Sequence, residues 1–210
     1  MLILAHRGYW KSIEEKNTLI AFKRAFSLGF GVELDVRDYC GSLVISHDMP
    51  NQNSPDFRTF LEIYCQFNKG LFLAINIKSD GLQNLMLDLL NEYQIENYFV
   101  FDMSVPDALG YLMLGMKAFT RESEFEREPS FYEQADGVWI DEFKTFWITP
   151  QIIKRHLDNS KKICIVSPEL HQMDYLTGWE NFKAASKNMD SGKFMLCTDL
   201  PEEARRYFND

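Results

Sequence analysis

The chain has 210 residues, 46% hydrophobic and 25% charged, and its 22 basic and 31 acidic side chains give a formal net charge of −9. That length suits one soluble domain over residues 1–210 and is short for two. The acidic balance excludes the basic surface that nucleic acids require and a polybasic membrane anchor; an anionic ligand must find local positive charge.

The apolar start at 2–5 is broken by His6-Arg7-Gly8 far short of a signal-peptide core, and no other stretch reaches membrane length without a charge. No membrane insertion and a cytoplasmic setting are the expectations. Cys40, Cys65, Cys164 and Cys197 are scattered without metal or redox spacing and read as buried free thiols.

In chain order, short apolar runs fall at 2–5, 32–36, 71–77, 98–101, 117–120, 137–140, 162–166 and 194–197. Each has strand length, and several are rich in β-branched or aromatic residues. Helical patterns intervene at 18–28, 57–67, 82–93, 105–114, 150–157, 173–187 and 201–208. Asp80, Ser104 and Thr149 are candidate caps, while Pro106, Pro150 and Pro201 suit a first helical turn. A run at 43–46 after Gly41 reads as the return strand of a hairpin. This alternation predicts an α/β fold, either a doubly wound sheet or a (β/α)8 barrel.

The ionisable residues gather at strand ends, where α/β folds build their sites. The first strand runs into His6-Arg7-Gly8, the second carries Glu33-Leu34-Asp35, and the hairpin returns to His47-Asp48. The third carries Asn76-Ile77-Lys78. Strand alternation puts Glu33 and Asp35 on one face, and Asn76 and Lys78 likewise. Two carboxylates and an amide oxygen form a hard-oxygen set suited to Mg²⁺ or Ca²⁺. His6 and His47 can supply an acid and a base, and Arg7 and Lys78 can meet a phosphate. The competing reading makes Glu33 and Asp35 structural partners of Arg7 or Arg37. Later strands add Arg121, Asp141 and Glu169 as candidate substrate contacts, against a solvated charge run at 121–126 and loop hydrogen bonding. Trp139, Trp147 and Trp179 read as packing residues, and His156 and His171 as surface or loop residues.

His6-Arg7-Gly8, Asn17-Thr18 with Ala21, Glu33-x-Asp35, His47-Asp48, the Ile77-Lys78 strand and Thr198-Asp199-x-Pro201 together resemble the glycerophosphodiester phosphodiesterase family. That family shares a superfamily with phosphatidylinositol-specific phospholipases C and spider sphingomyelinases D. The ordered set spans nearly the whole chain and is densest over 6–78. The resemblance implies a compact (β/α)8 TIM barrel and a phosphoric diester hydrolase acting on a small soluble phosphodiester. It also implies a divalent cation on Glu33, Asp35 and the third-strand position, with His6 and His47 as the catalytic pair. Three departures accompany it. Asn76 stands where the family has Glu, Glu15-Lys16 replaces Pro-Glu before Asn17, and only residues 49–70 separate His47-Asp48 from the next strand instead of a long insertion. The rival expectation is a barrel without turnover that binds a phosphorylated ligand, and attack by a neighbouring substrate hydroxyl, giving a cyclic phosphate, stands beside attack by water.

Overall fold

The computed structural model describes residues 1–186 and 191–209. Nine strands lie among the described residues: β1 (Leu2–His6), β2 (Gly31–Tyr39), β3 (Ser42–Ile45), β4 (Leu73–Ile77), β5 (Tyr98–Phe101), β6 (Phe119–Glu122), β7 (Gly137–Ile140), β8 (Lys162–Val166) and β9 (Phe194–Thr198). Between them run α1 (Leu19–Ser27), α2 (Phe57–Tyr64), α3 (Gln83–Glu92), α4 (Val105–Met113), α5 (Pro150–Asp158) and α6 (Tyr175–Ser186), with α7 (Pro201–Asn209) closing the chain. Eight strands are parallel and β3 returns antiparallel on β2, which makes the fold an α/β (β/α)8 barrel. The sequence pattern places every strand and helix within a few residues. Lys187, the last residue of the expected sixth helix, lies outside the described residues.

The chain forms two compact units, Leu4–Ala118 and Met1–Ile3 with Phe119–Asp210. In the first, strands lie in the order β5–β4–β2–β1, and the register sets His6 opposite Glu33, Asp35 opposite Asn76, and Asn76 opposite Phe101. Val32, Leu34 and Val36 on the other face of β2 are fully buried. α1 packs on α2 through aromatic rings: Phe22 and Phe60 meet edge to face at 4.9 Å, and Phe26 and Tyr64 at 5.3 Å. Each of these buried phenylalanine rings stabilises the fold by about 1.5–3 kcal/mol. Thr18, Asp56 and Ser104 cap α1, α2 and α4 by accepting a backbone N–H of the first turn. Asp80 does not cap α3, whose N-cap is Leu82; its carboxylate accepts the Ser104 hydroxyl at 3.1 Å.

In the second unit the order is β9–β8–β7–β6, with Arg121 opposite Trp139 and Trp139 opposite Cys164. Thr149 caps α5 and Pro150 opens it, as expected. Three expectations need correction. Arg121 and Glu122 belong to β6 rather than to a solvated loop, and Glu122 is buried because Arg155 and His156 of α5 meet its carboxylate. His156 is not a surface residue; it is fully buried, with Nδ1 2.9 Å from the Tyr132 hydroxyl. All four thiols are free, but only Cys164 and Cys197 are buried, and Cys40 is exposed at the hairpin turn. No helix among the described residues is long and apolar enough to cross a membrane.

Candidate active site

The first unit assembles most of the candidate residues. After β1 the backbone turns sharply, with Arg7 at φ 55° and Gly8 at φ 81°. A Cβ on Gly8 would lie 2.9 Å from the Ala21 backbone, so the turn admits only glycine. It directs the Arg7 N–H to Glu33 Oε2 at 3.2 Å and brings Asn17 N to the Arg7 carbonyl at 2.9 Å. Asn17, itself at φ 60°, donates from Nδ2 to Asp35 Oδ2 at 2.8 Å and accepts from the Asp35 N–H at 3.4 Å. This buried clamp fixes the Asp35 carboxylate. Its signal in the sequence is the Asn17-Thr18 pair, which marks a helix start and conceals the second role.

Glu33 and Asp35 share a face of β2, as the alternation requires, and both are buried. Arg7 Nε lies 2.9 Å from Asp35 Oδ2, and Lys78 Nζ lies 3.6 Å from Asp35 Oδ1. Arg37 is not the partner; its Nε donates to the His47 carbonyl at 3.1 Å. Asp35 Oδ1 and Asn76 Oδ1, on paired positions of adjacent strands, are both buried and accept no hydrogen bond. His6 Nε2 stands 3.9 Å from Glu33 Oε2. Burial, reinforced by the charge of Asp35, lifts the Glu33 carboxyl well above the usual carboxylate range, and Arg7 and Lys78 offset only part of this. No three His, Cys, Asp or Glu side chains converge on one point among the described residues. Asp102, which the sequence reading did not single out, follows β5 and places Oδ2 3.2 Å from Lys78 Nζ.

His47 follows the hairpin and sets Nδ1 2.8 Å from Asp48 Oδ1, and the ring holds Asp48 below the usual carboxylate range. It lines a cavity of about 280 Å³ together with Arg7, Lys16, Asn51, Asn53 and Ser54. The short segment after Asp48 thus supplies one wall of this cavity.

Three candidates lie in the second unit and are engaged there. Arg121 Nε is 2.9 Å from Glu126 Oε2. Asp141 Oδ1 is 3.1 Å from His171 Nε2, and its carbonyl accepts the Trp147 indole N–H at 2.8 Å. Glu169 accepts the Ser167 and Thr198 hydroxyls and the Asp199 N–H, and burial lifts its carboxyl above the usual range.

Among solved structures, the chain is similar to one assigned as a glycerophosphodiester phosphodiesterase from Galdieria sulphuraria, with 16% identity, TM-score 0.79 and coverage of 100% of this chain and 98% of that one. It has the glycerophosphodiester phosphodiesterase fold. A phosphodiesterase from Oleispira antarctica, solved with its product sn-glycerol-3-phosphate, matches at 15% identity and TM-score 0.70, over 100% of this chain and 97% of that one. A Ca²⁺-dependent phosphatidylinositol-specific phospholipase C from Streptomyces antibioticus matches at 10% identity and TM-score 0.58, over 99% and 95%. No family model matches the chain, and a search of curated proteins finds no match. This glycerophosphodiester phosphodiesterase fold is therefore kept at sequence identities that leave only the residues themselves to argue chemistry.

Proposed function

We propose that the chain is a phosphoric diester hydrolase that acts on a small soluble phosphodiester with the help of Mg²⁺ or Ca²⁺. The observation that carries this reading is the pair of buried oxygens without hydrogen bonds, Asp35 Oδ1 and Asn76 Oδ1, beside the buried Glu33 carboxyl. Buried acceptors of this kind cost about 1–3 kcal/mol each unless something satisfies them, and a hard cation does so. The residues therefore fit the cation, which Glu33, Asp35 and Asn76 would hold. When bound, it supplies electrophilic stabilisation of charge on the phosphoryl oxygens.

The chain's own groups do the rest. Arg7 and Lys78 bind the phosphoryl oxygens and orient the scissile bond. A carboxylate only accepts, so Asp48 fixes the proton of His47 on Nδ1 and leaves Nε2 to exchange a proton with the reacting oxygen. His6 completes the acid/base pair. The cavity beside His47 and Arg7 receives the alcohol arm, through Lys16 and the Asn51 and Asn53 amides. The free cysteines agree with a cytoplasmic setting.

The test is a panel of glycerol-, sugar- and nucleotide-linked phosphodiesters incubated with Mg²⁺ or Ca²⁺ and followed by phosphorus NMR. Monoester production that stops with a chelator is expected, and a transient cyclic phosphate identifies an internal hydroxyl as the attacking group. Binding of a diester without turnover under every condition would instead favour the rival reading, a phosphoryl-ligand binder, for which Asn76 in place of an acid is the specific support.

A further inference from the structure

Lys78 is held between two carboxylates. Its Nζ is 3.2 Å from Asp102 Oδ2 and 3.6 Å from Asp35 Oδ1. The two acids differ in surroundings, since the Asp35 side chain is fully buried and that of Asp102 is 23% exposed. Asp102 is also placed in an uncommon backbone conformation. It is the first residue after β5, in a left-handed turn at φ 67°, directly beyond Phe101, the register partner of Asn76. A non-glycine residue in that conformation is uncommon, and aspartate is among the side chains that tolerate it.

The stem of Lys78 is long enough to settle on the Asp35 oxygen that accepts no hydrogen bond. A lysine settled there neutralises the acid that holds the cation and leaves the phosphoryl group without its contact. A second carboxylate from the next strand removes this outcome by drawing the ammonium outward. We infer that Asp102 is a positioning residue that holds Lys78 at the phosphoryl group and off Asp35. The inference rests on the cation and phosphate roles proposed above.

The experiment combines calorimetry with Mg²⁺ alone and steady-state kinetics on a chromogenic aryl phosphodiester. It compares wild type, Asp102→Ala, Asp102→Asn, Lys78→Met and the Asp102→Ala/Lys78→Met double variant. Asp102→Ala is expected to lower Mg²⁺ affinity and raise KM by about tenfold each, with most of the loss in KM rather than kcat. Asp102→Asn, whose amide oxygen still accepts from Lys78, should recover most of both. Neither effect should persist in the Lys78→Met background. A penalty of equal size with and without Lys78 overturns the inference, because Asp102 then meets the cation or substrate itself. So does an Asp102→Ala protein that matches wild type in both measurements. If wild type turns over the diester but binds no Mg²⁺, the cation role fails and the KM arm decides the role of Asp102. If it binds Mg²⁺ without turnover, the affinity arm decides. A wild type that does neither removes the proposed function and the inference together.

Discussion

Asn76 is the residue on which the cation reading turns. Its amide oxygen sits opposite Asp35 and has no hydrogen bond to satisfy it. Asn76→Glu adds a charged oxygen at nearly the same place, so calorimetry should show tighter Mg²⁺ or Ca²⁺ binding; Asn76→Leu should weaken it while the protein stays folded. Equal affinities for Asn, Glu and Leu would remove position 76 from the ligand set. For the histidines, His6→Ala and His47→Ala should each lower kcat by about 10²–10⁴-fold at unchanged thermal stability. Full activity in either variant excludes that histidine from the chemistry. The Glu33–Asp35 pair was legible from sequence because a two-residue spacing in a strand can only put both on one face. Asp102 was not. An acid just after a strand reads equally well as a helix cap, and only the distance to Lys78 separates the two.

At the scale of elements, the β1–α1 turn does the most for the site. It positions the Arg7 amide, the Arg7 side chain and Asn17 in one stroke, and it depends on Gly8. Gly8→Ala must either abandon φ 81° or push α1 away at Ala21. It should destabilise the protein by about 1–3 kcal/mol in urea unfolding and reduce activity beyond the unfolded fraction. A silent Gly8→Ala variant would show that the turn is not needed in this form. The elements themselves were legible wherever an apolar run met a turn signal, as at Thr149-Pro150. They were less so at β6, where Arg121 and Glu122 read as loop because charges are rare in strands. Their strand geometry comes from pairing with β7, and the burial of Glu122 is made tolerable by Arg155 and His156 of α5, more than thirty residues away. Pairings of that range carry no local pattern.

For the whole molecule, a net charge of −9 opposes the approach of an anionic diester. At low ionic strength kcat/KM should therefore rise as salt is added, because screening removes the long-range repulsion before it reaches the partly buried contacts with Arg7 and Lys78. A monotonic fall from the lowest salt would mean that local attraction dominates. Stability should also depend on pH through Glu33. Its folded-state carboxyl holds a proton up to about 8, against 4.5 ordinarily, so between those values the folded chain binds more protons than the unfolded one. Without cation, stability should fall as pH rises through that window, and saturating Mg²⁺ should flatten the fall. Melting curves at stepped pH, with and without Mg²⁺, check this, and Glu33→Gln should make the slope shallower, leaving the share of other raised carboxyls such as Glu169. The four histidines bear on the molecule in another way. Their side chains are 45% exposed at position 47, 21% at 171, 15% at 6 and 0% at 156. An imidazole-acylating reagent therefore meets a graded series, in which His47 beside the open cavity reacts first and His156, locked against Glu122, reacts only on unfolding.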